Sequence, residues 1–205
     1  MRARETGAQY TWRMPIQIGS SVHGYTEPTG LLSDCHRRIE MFLGALQAVA
    51  KVIDQPRTGE AARALEGALL YFREAAPKHT ADEEQSLFPR MRKMGDAEVR
   101  SALTKLEELE QDHRLAEPMH AEVERLGKKY LSAGRLELAE VEVFREAVAR
   151  LAALYQQHIR IEDTTIFPLA ARLLPLAEQR AIGLEMAARR EAKAAADSSP
   201  VRIHR

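Results

Sequence analysis

The chain has 205 residues, enough for one domain with a full core. Lys and Arg number 30 and so do Asp and Glu, giving zero net charge, and no block of like charge marks a nucleic-acid groove or an anionic membrane as partner. Alanine, leucine, glutamate and arginine dominate and 5% of residues are aromatic, a composition that favours an all-α fold.

Residues 1–28 contain Gly7, Pro15, Gly19, Gly24 and Pro28 with little periodicity, and are expected to form an irregular leader. No apolar run follows Arg2 and Arg4, so no signal peptide is expected. A first helix is predicted from Thr29 or Ser33 to about Asp54, with Leu32, Ile39, Leu43, Leu46, Ala50 and Ile53 as its apolar stripe. Gln47 and Lys51 interrupt its longest apolar stretch, which is too short to span a bilayer. The single cysteine, Cys35, excludes an intrachain disulfide and fits a reducing, cytoplasmic setting. Beside His36 it should point away from that residue and pack as a small apolar group.

Thr58 is a predicted N-cap for a second helix. Leu65, Leu69, Phe72 and Ala76 form its stripe, which His79, Glu83 and Leu87 continue. Gly95 should stop this helix and Asp96 should cap the third, which runs through Val99, Leu103, Leu106, His113, Glu117 and His120 to about Leu131. After the loop at Ser132–Arg135, a fourth helix presents Val141, Val148, Leu151, Tyr155, His158, Glu162 and Ile166. Pro77, Pro89, Pro118 and Pro168 should each kink or end their helix. A shorter fifth helix is expected over about 175–193, and the tail from Asp197 is expected to be disordered. The predicted organisation is therefore a leader at 1–28, an up-and-down four-helix bundle at 29–175, and a short helix with tail at 176–205.

Two segments nearly repeat. His79 to Pro89 and His158 to Pro168 both read H-x3-E-[ED]-x2-[LI]-F-P. Histidine and glutamate four apart share one helix face. Each motif follows another histidine, His36 or His113, by about 43 or 45 residues, so the chain reads as a duplicated αα-hairpin. At about 1.5 Å of rise per residue the four histidines lie roughly 22 to 31 Å from the adjoining turns. In an up-down-up-down bundle those offsets bring all four to nearly one height. A pair from each of two facing helices can build a carboxylate-bridged two-metal site.

His-x3-Glu alone is common here: His23 and Glu27, His36 and Glu40, His113 and Glu117, and His120 and Glu124 also fit it. The eleven-residue match and the placement in apolar stripes set His79–Glu83 and His158–Glu162 apart. A buried glutamate needs compensation, and these stripes carry no Arg or Lys to provide it, whereas a metal would. His36, His79, Glu83, His113, His158 and Glu162 are thus the main candidate ligands. Glu117 and Glu40, expected inward, and His120, two turns beyond His113, are further candidates. Asp163 and Glu84, about 100° round from the paired glutamates, read as rim groups or as partners of the ligands. His23 and His204 read as surface residues.

On His36, His79-x3-Glu83, His113, His158-x3-Glu162 and both Phe-Pro endings, residues 29–175 resemble the hemerythrin-like HHE cation-binding proteins of the bacterial type. The resemblance implies a four-helix bundle with two non-heme irons, bridged by two carboxylates and an oxo or hydroxo group. Glu83 and Glu162 would bridge, with the four histidines as terminal ligands. Asp163 stands where the oxygen carriers of the family place their bridging aspartate, while Glu162 mirrors Glu83. Glu117 replaces the carriers' fifth histidine. A carrier role is therefore less favoured than reaction with, or sensing of, oxygen, peroxide or nitric oxide, or of iron itself. An enzyme that consumes peroxide or repairs iron–sulfur clusters is the alternative, although the leader lacks the cysteine such repair proteins carry. A ferritin-like iron store ranks lower: Glu110-x-x-His113 and Glu117-x-x-His120 lie on one helix, where that pattern needs two.

Overall fold

A computed structural model describes residues 23–197. Most of the predicted leader (1–22) and most of the tail, with His204, lie outside the described residues. The described residues are helical and contain no strand. The helices are α1 (Pro28–Val52), α2 (Gly59–Glu74), α3 (Ala76–Asp82), α4 (Phe88–Arg92), α5 (Ala97–Ala133), α6 (Leu138–Ile161), α7 (Phe167–Leu173) and α8 (Leu176–Asp197). One π-helical turn, Glu83–Leu87, joins α3 to α4, and a second, Glu162–Ile166, joins α6 to α7.

Local chemistry sets the boundaries. Thr58 Oγ1 accepts from the Ala61 amide at 3.1 Å and Asp96 Oδ1 accepts from the Glu98 amide at 2.7 Å, each satisfying a free donor of its helix start. α5 ends on Gly134 at φ 79°, a left-handed position that disfavours a Cβ, and the Gly134 amide donates to Tyr130 O. Gly95, predicted to stop the preceding helix, has no such backbone; that helix ends at Arg92.

Three prolines restart helices in their first turns: Pro77 in α3, Pro89 in α4 and Pro168 in α7. Pro118 is different. It sits inside α5 on the exposed side, and the helix runs on between buried Ala116 and Val123. The π turns precede Pro89 and Pro168 by design of the chain: Phe88 N donates to Glu83 O and Phe167 N to Glu162 O, a five-residue step. Such a widened turn relieves the clash between a proline ring and the carbonyl four residues back.

Around the bundle, α1 packs on α2 and α6, and α5 packs on α2 and α6. The interior holds two apolar clusters. One contains Ile39, Leu46, Leu65, Val123, Phe144 and Leu151, the other Leu32, Leu87, Phe88, Leu106, Ile166 and Met186. Each helix passes from one cluster to the other through a polar position: His36 between Leu32 and Ile39, His79 and Glu83 between Ala76 and Leu87, His113 between Leu109 and Ala116, His158 and Glu162 between Tyr155 and Ile166. The polar layer is thus a slab between two cores. No described helix is long and apolar enough to cross a membrane.

α8 is somewhat longer than the short helix expected over about 175–193. It has 22 residues and packs on α3, α1 and the first π turn, with Ile182 and Met186 in the core. Gly183 permits this approach, since a Cβ there would lie 1.8 Å from Tyr25 O. Asp82, fully buried, accepts from Arg189 Nη1 at 2.8 Å and Arg190 Nη2 at 2.7 Å. This anchors α8 to the helix that carries His79. Removing one partner of a buried pair leaves an uncompensated charge. Asp82→Ala should therefore cost about 3 kcal/mol, the low end for such pairs because both guanidiniums keep some solvent. Urea unfolding checks it.

Candidate metal centre

The π turns shape the site. A wider turn rotates successive side chains less from one another than an α-helix does. Adjacent acids can then both reach the centre's surroundings: Glu83 and Glu162 face inward and are fully buried, while Glu84 and Asp163 approach from the outer side.

Two groups of four converge. His36, His79, Glu83 and Glu162 form one, and Glu83, His113, His158 and Glu162 the other; within each, the potential ligand atoms lie within 4.8 Å of one another. Glu162 Oε2 lies 3.0 Å from His36 Nε2 and 3.2 Å from His158 Nε2. Glu83 Oε1 lies 3.1 Å from His79 Nε2, and Oε2 lies 3.5 Å from His113 Nε2. The two glutamates are shared between groups and the histidines are divided between them.

Most of these inward atoms are not paired with one another by an aligned hydrogen bond. Both oxygens of Glu83 and of Glu162, with Nε2 of His36 and His158, are buried without an aligned hydrogen bond among the described residues, although some separations are short enough for one. Buried polar atoms in such numbers demand a partner. Convergent imidazole nitrogens and carboxylate oxygens suit a first-row transition metal. The residues fit a metal pair.

On the outer side, His36 Nδ1 meets Asp163 Oδ1 at 2.9 Å, His113 Nδ1 meets Glu84 Oε1 at 2.8 Å and His158 Nδ1 meets Asp112 Oδ2 at 3.3 Å. Such acceptors fix a ring's tautomer and raise the basicity of its inner nitrogen. Ser33 Oγ also donates to Asp163, at 2.7 Å. Glu84 of the first hairpin supports a histidine of the second, and Asp163 of the second supports one of the first.

The remaining candidates fall elsewhere. Glu117 is exposed, not inward: one turn past His113 the wall of α5 opens on a cavity, and the carboxylate stays in solvent there. Glu40 is also exposed, because it follows inward Ile39 by about 100° round α1. His120 is outside both groups; its Nε2 is 3.0 Å from Tyr155 Oη and its ring packs on Phe72. His23 is tied to Asp34 Oδ2 through its backbone amide at 2.8 Å. Cys35 is buried, with Arg38 Nη2 2.9 Å from its sulfur. Asp112 was not legible as a partner. Its signal was its place immediately before His113, at the height of His158 on the neighbouring helix.

A cavity of about 350 Å³ opens beside the layer, lined by Phe72, Thr80, Glu84, Glu117, His120 and Tyr155 among others. It shares Ala76, Thr80, His113 and Tyr155 with an inner hollow bordered by all four histidines. Burial holds His120 down at about 4, so this wall carries a neutral ring at neutral pH.

Residues 27–170 match the hemerythrin HHE cation-binding domain. The chain belongs to the hemerythrin HHE family. It is also 27% identical, over 171 residues, to a protein of Haemophilus influenzae (strain ATCC 51907 / DSM 11121 / KW20 / Rd) described as uncharacterized; the alignment covers 82% of this chain and 93% of that protein. Membership supports cation binding, usually of iron, and the paired His/Glu groups supply donors for it.

As bare protein groups these side chains share protons. Burial and the charge of Glu162 push Glu83 up to about 8. Burial would raise Glu162 too, but His158 and His36 outweigh it and hold that carboxyl below its ordinary value. Burial opposes charge on His36, yet Asp163, Glu162 and Glu83 lift it to about 12; against the same opposition Glu162 lifts His158 to about 9. Burial lowers His79 and His113, helped by His36 and His158 respectively. The bare cluster thus favours protons on His36, His158 and Glu83 over Glu162, His79 and His113. Ligands must lose them to bind a metal. Metal binding should release protons at pH 7, and affinity should rise between pH 6 and pH 8; titrating metal into weakly buffered protein with a pH indicator measures both.

Proposed function

We propose that the slab holds two iron ions, one between His36 and His79 and the other between His113 and His158, with Glu83 and Glu162 shared. The observation that carries this is the pair of four-residue groups overlapping in those two glutamates alone. Two divalent cations would offset two buried carboxylates, a charge that the apolar cores on either side cannot stabilise.

Bound iron would supply redox chemistry and sites for small ligands. The chain's own residues govern what arrives. The cavity over Thr80 abuts the histidine layer, sharing Ala76, Thr80, His113 and Tyr155 with it, and the Glu84 and Glu117 carboxylates on its wall disfavour anions. A small neutral molecule suits this cavity best, which points to oxygen, nitric oxide or peroxide. Tyr155 and His120 form a hydrogen-bonded pair on the same wall and can donate to a guest there. With Glu117 in solvent, no carboxylate takes the place of the carriers' fifth histidine, so the donor set is four imidazoles and two carboxylates. That set favours sensing of, or reaction with, the guest over reversible carriage. Consumption of peroxide by an enzyme is the reading to separate from it.

Iron-replete protein should carry close to two irons per chain by elemental analysis. Glu83→Ala and Glu162→Ala should each lose most of the metal, because each carboxylate serves both positions. Glu117→Ala and Glu40→Ala should lose little. One zinc and no iron, or full metal in both inner variants, would contradict the reading. Absorption spectra of the ferrous protein under argon, titrated separately with oxygen, nitric oxide and peroxide, identify the guest. Repeated turnover of peroxide would mark an enzyme, and a reversible oxygen spectrum a carrier.

A further inference from the structure

The two halves of the centre are built to one rule, and one histidine departs from it. His36, His113 and His158 each present Nε2 to the inside and Nδ1 to a carboxylate, from Asp163, Glu84 and Asp112 respectively. His79 Nδ1 is buried and has no hydrogen-bond partner among the described residues.

The repeat explains the exception. In the second hairpin, His158 is served by Asp112, the residue immediately before His113. The residue in that place of the first hairpin, immediately before His36, is Cys35. Its sulfur is instead 2.9 Å from Arg38 Nη2. The acid before it, Asp34, is occupied by the His23 amide and by Arg37. Cysteine thus stands where the second hairpin has its carboxylate, and among the described residues no acceptor meets His79 Nδ1.

The consequence follows from the ring. A metal on Nε2 requires a neutral imidazole to carry its proton on Nδ1. At His79 that places a buried N–H donor opposite no acceptor, which is costly. The ring also lacks the support that fixes its orientation and strengthens its inner nitrogen; loss of such a partner typically lowers metal affinity 10- to 100-fold.

We propose that the two metal positions are inequivalent, the ion between His36 and His79 being the exchangeable one and the ion between His113 and His158 the resident one. This rests on the two-ion reading above. The ligand is a divalent first-row transition-metal cation. The shared glutamates stay with the resident ion, so the chain can give up one cation without dismantling the layer.

The test is anaerobic competition between the ferrous full-length protein and a chromogenic iron chelator. Release is expected in two steps, one iron each, separated by about 10- to 100-fold in chelator concentration. Anomalous diffraction from half-depleted crystals should locate the remaining iron beside His113 and His158. Asp112→Ala should weaken the tighter step and bring the two together; Asp112 is partly exposed, so this variant tests affinity rather than folding. Cys35→Asp should tighten the weaker step. Two irons released in one step, or iron remaining beside His36 and His79, would overturn the inference while leaving the two-ion reading intact. So would an unchanged gap in Asp112→Ala. Fewer than two irons at saturation would overturn the two-ion reading and this inference with it.

Discussion

Two glutamates with no solvent contact, set between two apolar cores, are the constraint on which the rest of this structure depends. Among the described residues, neither Glu83 nor Glu162 has an arginine or lysine as its partner; each is bordered by histidines and by the other glutamate. Isolated charges in such surroundings shift their protonation or acquire a compensating cation. The bare groups do the first, with the proton of the pair held by Glu83. Family membership and the convergence of donor atoms favour the second in the working protein.

The two π turns serve this constraint. Each starts at a buried glutamate and ends just before a Phe-Pro pair. The phenylalanines seal one end of the slab, Phe88 wholly buried and Phe167 stacked against His36. Between them, neighbouring acids divide the work: the first faces the centre, and the second holds a histidine of the opposite hairpin. The halves of the duplication are thereby tied through the site itself. α8 adds a further tie, through Asp82, to the segment bearing His79 and Glu83.

The fold and the convergence of six side chains, His36, His79, Glu83, His113, His158 and Glu162, were legible because they follow from periodicity. The H-x3-E spacing puts two heads on one face, and the rise per residue alone brings four histidines on helices of these lengths to one level. The partners of the histidines were less so. Asp163 and Glu84 could be placed beside the site but not assigned to His36 and His113, since that depends on turns wider than an α-helix. Asp112 acts across to a neighbouring helix. Asp82 carried no signal in the sequence, because its arginines lie 107 and 108 residues later, on the last helix. Glu117 and Glu40 show the limit of the i, i+4 rule. It orients a side chain relative to its neighbour, but a face turns from interior to solvent wherever the opposing wall withdraws, as it does at the cavity beside α5.

The central claim is that cations compensate the buried glutamates and so stabilise the native state. A ligand held only by the folded chain stabilises it by about 2.7 kcal/mol per site at a hundredfold excess over its dissociation constant. The most direct test is thermal unfolding of one preparation under argon, chelated and then reloaded with increasing ferrous iron. The account predicts a midpoint several degrees higher with iron, rising with the logarithm of its concentration, and losing that rise in Glu83→Ala. Equal midpoints with and without iron, in protein that shows the same helical content throughout, would contradict it.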